Sequence, residues 1–137
     1  MKEEEIIIIA ASLCVFLFIL MIQAALCYFW QTCLNSVDEQ HRTISPPMVW
    51  LYMIPCFNIF WLFFLMINIP KSFQNHFNAR GVSDVGDCGQ GICIGYAACV
   101  LVSMIPYIGC LAQIPALILL VMHILKFIDL KKKAATV

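Results

Sequence analysis

Charged residues are scarce in this chain, making up 12% of its 137 residues, with eight Lys and Arg against eight Asp and Glu. A soluble domain carries about 25% charged and about 45–50% apolar residues, whereas 63% of this chain is hydrophobic. Because so little charge cannot cover a water-facing surface, the composition predicts a membrane protein and speaks against a cytosolic enzyme. The lack of net charge and of any basic cluster before the last residues predicts no nucleic-acid partner.

Three long stretches contain no charge at all, and they determine the predicted architecture. A helix needs about 20 residues to cross about 30 Å of hydrocarbon. The first two stretches are long enough for one helix each, and the third, interrupted by Pro106 and Gly109, is long enough for two. The predicted spans cover residues 6–30, 48–69, 88–105 and 110–128. The predicted fold class is all-α, a single membrane domain (residues 1–137) formed by a bundle of four transmembrane helices.

Lys and Arg are almost missing from one side of this four-span arrangement. Seven of the eight lie at the N-terminus, at the C-terminus or between the second and third spans, and Arg42 alone lies opposite. Since short cytoplasmic segments collect Lys and Arg, we predict a multi-pass protein of the cell inner membrane with both termini in the cytoplasm. A short helix over residues 71–80, with Phe73 and Phe77 one turn apart, is predicted to lie on the inner interface.

Small residues recur at every fourth position of the third predicted span. They are Gly91, Gly95, Cys99 and Ser103. Small residues at this spacing form a flat groove that allows another helix to approach closely. We predict a helix-packing face, used first within the chain and alternatively against a second protomer.

Ionisable side chains of the Asp, Glu, Lys and Arg types are missing from all four predicted spans up to Leu125, which speaks against proton- or ion-coupled transport. The polar residues inside the spans are Gln23, Asn58, Gln113 and His123. Uncharged amides in a membrane commonly bond across helices, so we interpret the three amides as inter-helix contacts. His123, one helical turn from Lys126, is interpreted as a polar residue near the inner interface. Pro55 is predicted to kink the second span, with Asn58 as the partner of the freed carbonyl.

Motifs for catalysis or for cofactor binding are also missing. The eight cysteines form no C-x-x-C pair and no zinc-type spacing with a histidine. His123 is the only histidine in a predicted span, which excludes a haem held by two histidines within one chain. The glycine-rich residues 86–91 lack the preceding strand and following lysine of a nucleotide loop. The sequence therefore predicts no enzyme, no metal site and no cofactor.

Three short motifs resemble a pattern, PPxxWL…IPxFN…WxFF, of small uncharacterised multi-pass inner-membrane proteins of bacteria. They are PPMVWL at residues 46–51, IPCFN at 54–58 and WLFF at 61–64, and IPYIG at 105–109 fits the same pattern. The likeness covers roughly residues 46–130. It implies a bacterial inner membrane and supplies no catalytic residue.

The predicted function is that of a non-enzymatic integral membrane protein, an accessory or scaffold subunit of a membrane assembly or homo-oligomer. Its expected partners are the lipid bilayer and other membrane protein subunits or a second copy of itself. The alternative is a pore-forming or small-solute transport protein in which Gln23, Asn58 and Gln113 line a polar path. A dry bundle favours the first function, and a continuous hydrated path favours the second.

Overall fold

The computed structural model describes residues 2–137, and within them the chain is helical with no strand. The α-helices are α1 (Glu3–Asn35), α2 (Asn58–Ala79), α3 (Gln90–Val102) and α4 (Gly109–Thr136). Two 3-10 helices lie between α1 and α2, a single turn at Glu39–His41 and a longer one at Pro46–Met53, which we call the 3-10 arm. The predicted all-α class is therefore confirmed.

Two of these helices, α1 and α4, are long and apolar enough to cross a membrane. With 33 residues, α1 extends about 50 Å at a rise of about 1.5 Å per residue. In contrast, α3 has only 13 residues, and α2 carries a polar C-terminal half. Within residues 2–137 the four-span bundle is therefore not confirmed.

The second predicted span, residues 48–69, is divided rather than kinked. The 3-10 arm ends at Met53, and α2 begins only at Asn58. Pro55 has no N–H, and the carbonyl of Leu51, four residues earlier, instead accepts the N–H of Ile54 at 3.1 Å. Asn58 contributes only its backbone N–H to this turn, donated to the Ile54 carbonyl at 3.0 Å. The predicted role of the Asn58 side chain is therefore not observed.

The chain reverses direction at this turn and forms a hairpin. The indole N–H of Trp61 on α2 donates to the Met48 carbonyl of the 3-10 arm at 2.9 Å. Farther from the turn, the Thr43 hydroxyl donates to the Asn68 carbonyl at 2.8 Å. The two arms therefore run antiparallel, and both lead to the same end of the molecule.

A second hairpin, formed by α3 and α4, repeats this design. Both turns contain Met-Ile-Pro, at residues 53–55 and 104–106. In both, the next residue, Cys56 or Tyr107, has a positive φ (66° and 71°). The repeated tripeptide therefore marks two equivalent reversals.

The separate interfacial helix predicted over residues 71–80 is instead the C-terminal part of α2. The helix continues through Pro70, which is buried together with Ser72, Phe73 and Phe77. The rings of Phe73 and Phe127 meet edge to face at 5.5 Å between centroids. These phenylalanines pack against α4 rather than lie on lipid, and this burial outweighs the one backbone hydrogen bond that a proline removes.

The loop that follows α1 and the loop that follows α2 lie at one end of the molecule, which contradicts the predicted sidedness of Arg42. The guanidinium of Arg80 donates to Asp38 at 2.7 Å, and the N–H of Thr43 donates to Ser72 Oγ at 3.0 Å. Loops on opposite sides of a bilayer could not make these contacts. Arg42 lies here because its side chain caps α1, donating to the carbonyls of Leu34 and Val37 at 2.8 Å.

We call this region the polar end: it contains the C-terminal ends of α1, α2 and α4 and the N-terminal end of α3. Gln74 of α2 donates to Gln90 of α3 at 3.2 Å, and a Cβ built on Gly89 would lie 3.1 Å from Lys126 of α4. All Lys and Arg residues except Lys2 belong to the polar end or to the segments leading into it. The strong asymmetry of basic residues is therefore kept, but with the N-terminus on the other side.

The buried core lies near the polar end, where the C-terminal part of α1 meets both hairpins. Its largest fully buried side chains include Trp30, Leu34, Phe73, Phe77, Phe127 and Leu130. The first buried residue of α1 is Cys27, and an apolar 18-residue window of the same helix has no buried residue. The N-terminal half of α1 therefore stands free of the bundle.

Candidate functional site

The buried imidazole cluster, formed by Trp30, Cys93 and His123, joins three helices in the core. The Trp30 indole N–H donates to His123 Nε2 at 2.9 Å, and Cys93 Sγ lies 3.1 Å from His123 Nδ1. Because an indole nitrogen only donates, Nε2 is the acceptor, and the proton of the neutral ring lies on Nδ1 and faces the sulfur. All three side chains are fully buried.

Aromatic rings surround this cluster and close it to solvent. Tyr96 stacks on His123 at 6.3 Å between centroids, Phe127 packs on it at 4.4 Å, and Tyr52 meets Trp30 edge-on at 5.5 Å. The Cys93–His123 pair has the distance of a nucleophile and its base, but Nδ1 already carries the ring proton and no substrate can reach a fully buried thiol. The cluster therefore holds α1, α3 and α4 together through hydrogen bonds. His123, predicted as an intramembrane polar residue, proves to be the centre of the core.

The loop cluster, formed by Asp38, His41, His76 and Arg80, lies at the polar end. The backbone N–H of Asp38 donates to His76 Nδ1 at 3.2 Å. Asp38 Oδ2 accepts Arg80 Nη2 at 2.7 Å and lies 3.8 Å from Nδ1 of each histidine. Arg80 Nη1 is 2.8 Å from His76 Nδ1. The carboxylate of Asp38 and the imidazole of His76 therefore contact the guanidinium, and the ring of His41 lies beside both of these groups.

Charge and burial determine the protonation states in the loop cluster. The hydrogen bond from Arg80 lowers the pKa of Asp38 below its usual value, so this carboxyl is ionised at neutral pH. Burial, and then the charge of Arg80, lower the pKa of His76, so its ring is neutral there. The sequence could not predict this cluster, because its two histidines are 35 positions apart and meet only through the hairpin of α2.

The predicted packing residues lie along α3, and only part of this face meets α4. A Cβ on Gly95 would lie 3.4 Å from Leu119 Cδ1, so the two helices are in close contact there. A Cβ on Gly91 would meet Asp87 instead, at 3.3 Å. Cys99 and Ser103 are half-buried, and Ser103 belongs to the turn that leads into α4.

The three predicted intramembrane amides remain apart. Gln23 is half-buried on α1, Asn58 is half-buried at the start of α2, and Gln113 is exposed on α4. They lie on three different helices, and no hydrogen bond links any two of these side chains within the described residues 2–137.

In the glycine-rich segment before α3, backbone N–H groups are bonded to the carboxylate of Asp87, a residue of the same segment. Asp87 accepts the N–H of Gly89 at 3.0 Å and the N–H of Gly91 at 2.9 Å. These backbone bonds, that of Gly91 first, lower the pKa of Asp87. The position that a nucleotide phosphate would take at a helix N-terminus is thus filled from within the chain.

Comparison with known proteins gives no information on these sites. No match to the chain is found among protein-family models, curated proteins or solved structures. Function is therefore argued from the geometry of the chain itself.

Proposed function

We propose that the protein is a non-enzymatic integral membrane protein that acts as an accessory or scaffold subunit of a membrane assembly or homo-oligomer. The observation that carries this proposal is the free N-terminal half of α1. Large apolar side chains project from it on every side, and Ile7, Val15 and Met21 are 66%, 59% and 65% exposed. A helix that is apolar all round requires lipid or another apolar helix around it.

The free half of α1 suits contact with a partner helix as well as with lipid. Ala10, Ala11, Ser12 and Cys14 follow one another closely on it, and all are exposed. Helix association in membranes depends on close packing, which small residues permit. The rest of the molecule already buries the other half of α1, so a second helix can join without disturbing the bundle.

The proposal includes an orientation that differs from the one predicted from the sequence. We place the polar end, with its seven Lys and Arg residues, in the cytoplasm and the N-terminus across the inner membrane. In this arrangement α1 crosses the bilayer, whereas each hairpin enters from the cytoplasmic side and returns to it. The second charge-free stretch therefore leaves the membrane on the side from which it entered.

A photo-crosslinking side chain at Val15 in native membranes tests this function. The matched control is Val121, which is also apolar and 50% exposed. Unlike Val15, it belongs to a helix of the α3–α4 hairpin. We expect Val15 to form a discrete protein adduct, with a second copy or with another subunit, and Val121 to form lipid adducts. Lipid adducts alone at Val15, together with a monomeric mass in mild detergent, would contradict a subunit role.

A further inference from the structure

The loop cluster contains three side chains of the kind that bind transition metals. Asp38 lies between His41, from the 3-10 turn, and His76, from α2. One oxygen of Asp38 and one nitrogen of each ring all lie within 4.8 Å of one another. A Zn²⁺ ion with bonds of about 2.0–2.2 Å needs ligand atoms somewhat closer than this, and rotation of the half-buried Asp38 and His41 side chains can bring them together.

The ring of His41 has a nitrogen that makes no hydrogen bond and can offer its lone pair when the ring proton lies on Nε2. Its Nδ1 atom is buried and has no hydrogen-bond partner among the residues described. Buried side-chain nitrogens nearly always have a partner. A metal ion between the three side chains would use this lone pair, whereas the contacts within the chain do not.

Arg80 shows that the cluster already attracts a cation. Its two terminal nitrogens lie 2.7 Å from Asp38 Oδ2 and 2.8 Å from His76 Nδ1, which are two of the three atoms that a metal would use. The side chain is 28% exposed at the C-terminal end of α2, so it can turn out into solvent. The weak bond from the Asp38 N–H to His76 Nδ1, at 3.2 Å, would also have to open.

We propose that Asp38, His41 and His76 bind one divalent ion of the Zn²⁺ class in competition with the guanidinium of Arg80. Two imidazoles and one carboxylate are a ligand set that Zn²⁺ accepts, with water as the fourth ligand. Bound metal would fix the loop after α1 to the end of α2. The proposal is independent of the accessory function, since a subunit of any kind could carry such a site.

Metal titration of the purified full chain in detergent tests this site. Cys14, Cys56 and Cys110 are exposed and are first replaced by serine, so that their thiols do not bind the ion. Calorimetry with Zn²⁺ measures affinity and stoichiometry, and absorption with Co²⁺ reports whether sulfur is a ligand. We expect one ion per chain and no sulfur-to-cobalt charge-transfer band.

Two variants separate the site from general electrostatics. His41→Ala removes a ligand whose ring nitrogen has no hydrogen bond to lose, and we expect affinity to fall at least about tenfold while the melting temperature of the metal-free protein is kept. Arg80→Gln removes the competitor, and we expect affinity to rise about tenfold. Lys71→Gln, which removes an exposed positive charge from the same helix, is the matched control and should change affinity little.

Three results would overturn the proposal. They are affinity unchanged by His41→Ala, affinity unchanged or lowered by Arg80→Gln, and a charge-transfer band that assigns the ion to cysteine.

Discussion

His123 shows how much one polar side chain can organise in an apolar core. Both ring nitrogens are engaged, one by Trp30 of α1 and the other by Cys93 of α3. A buried imidazole is costly unless it is hydrogen-bonded, so these two contacts fix where α1 and α3 lie against α4. A polar residue that the sequence places near a membrane interface is therefore the most constrained position in the structure.

A double-mutant cycle measures the first of these bonds. Trp30→Phe and His123→Phe should each lower the free energy of unfolding in detergent, and the coupling between them should be about 1 kcal/mol, as for hydrogen bonds between membrane helices. The control cycle uses Trp50 and Gln31, which form an indole-to-side-chain bond of 2.7 Å at the surface. Equal coupling energies in the two cycles would contradict a special role for the buried bond.

Gly109 is required by the turn between α3 and α4. A Cβ at this position would overlap the carbonyl oxygen of Ser103, a backbone atom that cannot move aside alone. Gly109→Ala should therefore destabilise the protein by about 1–3 kcal/mol, measured by thermal unfolding in detergent.

Gly91→Ala is the control for that measurement. Its Cβ would meet only the flexible carboxylate of Asp87, at 3.3 Å. Alanine is also the better helix former by about 1 kcal/mol. This variant should therefore melt at or above the temperature of the parent, and equal losses in both variants would show that the turn is not the cause.

At the scale of elements, the two hairpins account for most of the fold. Each turn places a non-glycine residue at positive φ directly after a proline. Such a conformation costs an ordinary residue about 1–2 kcal/mol, so the same strain occurs twice in the chain. The short tip is what allows two apolar arms to pack on each other.

Glycine should relieve this strain in the first hairpin. Cys56→Gly is expected to raise the unfolding free energy by about 1 kcal/mol, because glycine adopts positive φ freely. Cys110→Gly is the control and should have the opposite sign, a loss of about 0.3 kcal/mol, because Cys110 lies in the first turn of α4 and glycine is a weaker helix former than cysteine. A loss of stability in both variants, measured by thermal melting, would show that Cys56 is not strained.

Asp87 stabilises the start of α3 in its ionised form. Backbone hydrogen bonds lower its folded pKa below the usual 3.8, so its contribution is fully present above that pH and is lost as pH falls through the folded value. Melting temperatures of the protein and of Asp87→Asn, measured between pH 7 and pH 2, should differ by a constant amount down to the usual pKa of 3.8 and draw together below it. A constant difference across this range would show that the charge is not responsible.

Composition and the charge-free stretches are enough to predict an all-α chain, which is confirmed, whereas the bundle of four transmembrane helices is not. The first and last predicted spans correspond to α1 and α4, because an uninterrupted apolar run has few alternatives. Residues 48–69 were assigned to one helix because Pro55 can kink a helix as well as end it. The contacts of Thr43 with Ser72 and of Asp38 with Arg80 show that the chain turns back at Pro55 rather than bends there. The sequence contains no sign of these contacts.

Contacts between residues far apart in the sequence also limit what can be predicted of the sites. The small residues of α3 follow a periodic pattern, and Gly95 does lie against α4. Trp30 and His123 are 93 residues apart, and neither belongs to a local motif. Contacts of this kind depend on how the hairpins are arranged around α1, which local spacing does not determine.

At the scale of the whole molecule, the position of the two loops can be tested in sealed cells. Single cysteines at Gln40, Ser83 and Glu4 are introduced after Cys14, Cys56, Cys99 and Cys110 are replaced, since the other native thiols are buried. A membrane-impermeant thiol reagent added outside should label position 4 and leave positions 40 and 83 unlabelled. All three sites are exposed in the structure.

The four-span arrangement makes the opposite prediction. There, position 40 would be labelled from outside and position 4 would be protected. Labelling of position 40 without position 83 in sealed cells would therefore contradict the first hairpin, and labelling of both would contradict the proposed orientation alone.

The bond between Trp30 and His123 also affects the order of events during synthesis. The ribosome adds about 5–20 residues per second, so the 93 positions between the two residues correspond to about 5–20 s. Throughout that time the nascent α1 has an indole N–H without its final acceptor, while the first hairpin can already form from neighbouring residues. The core therefore closes only after the part of α4 that contains His123 has been synthesised.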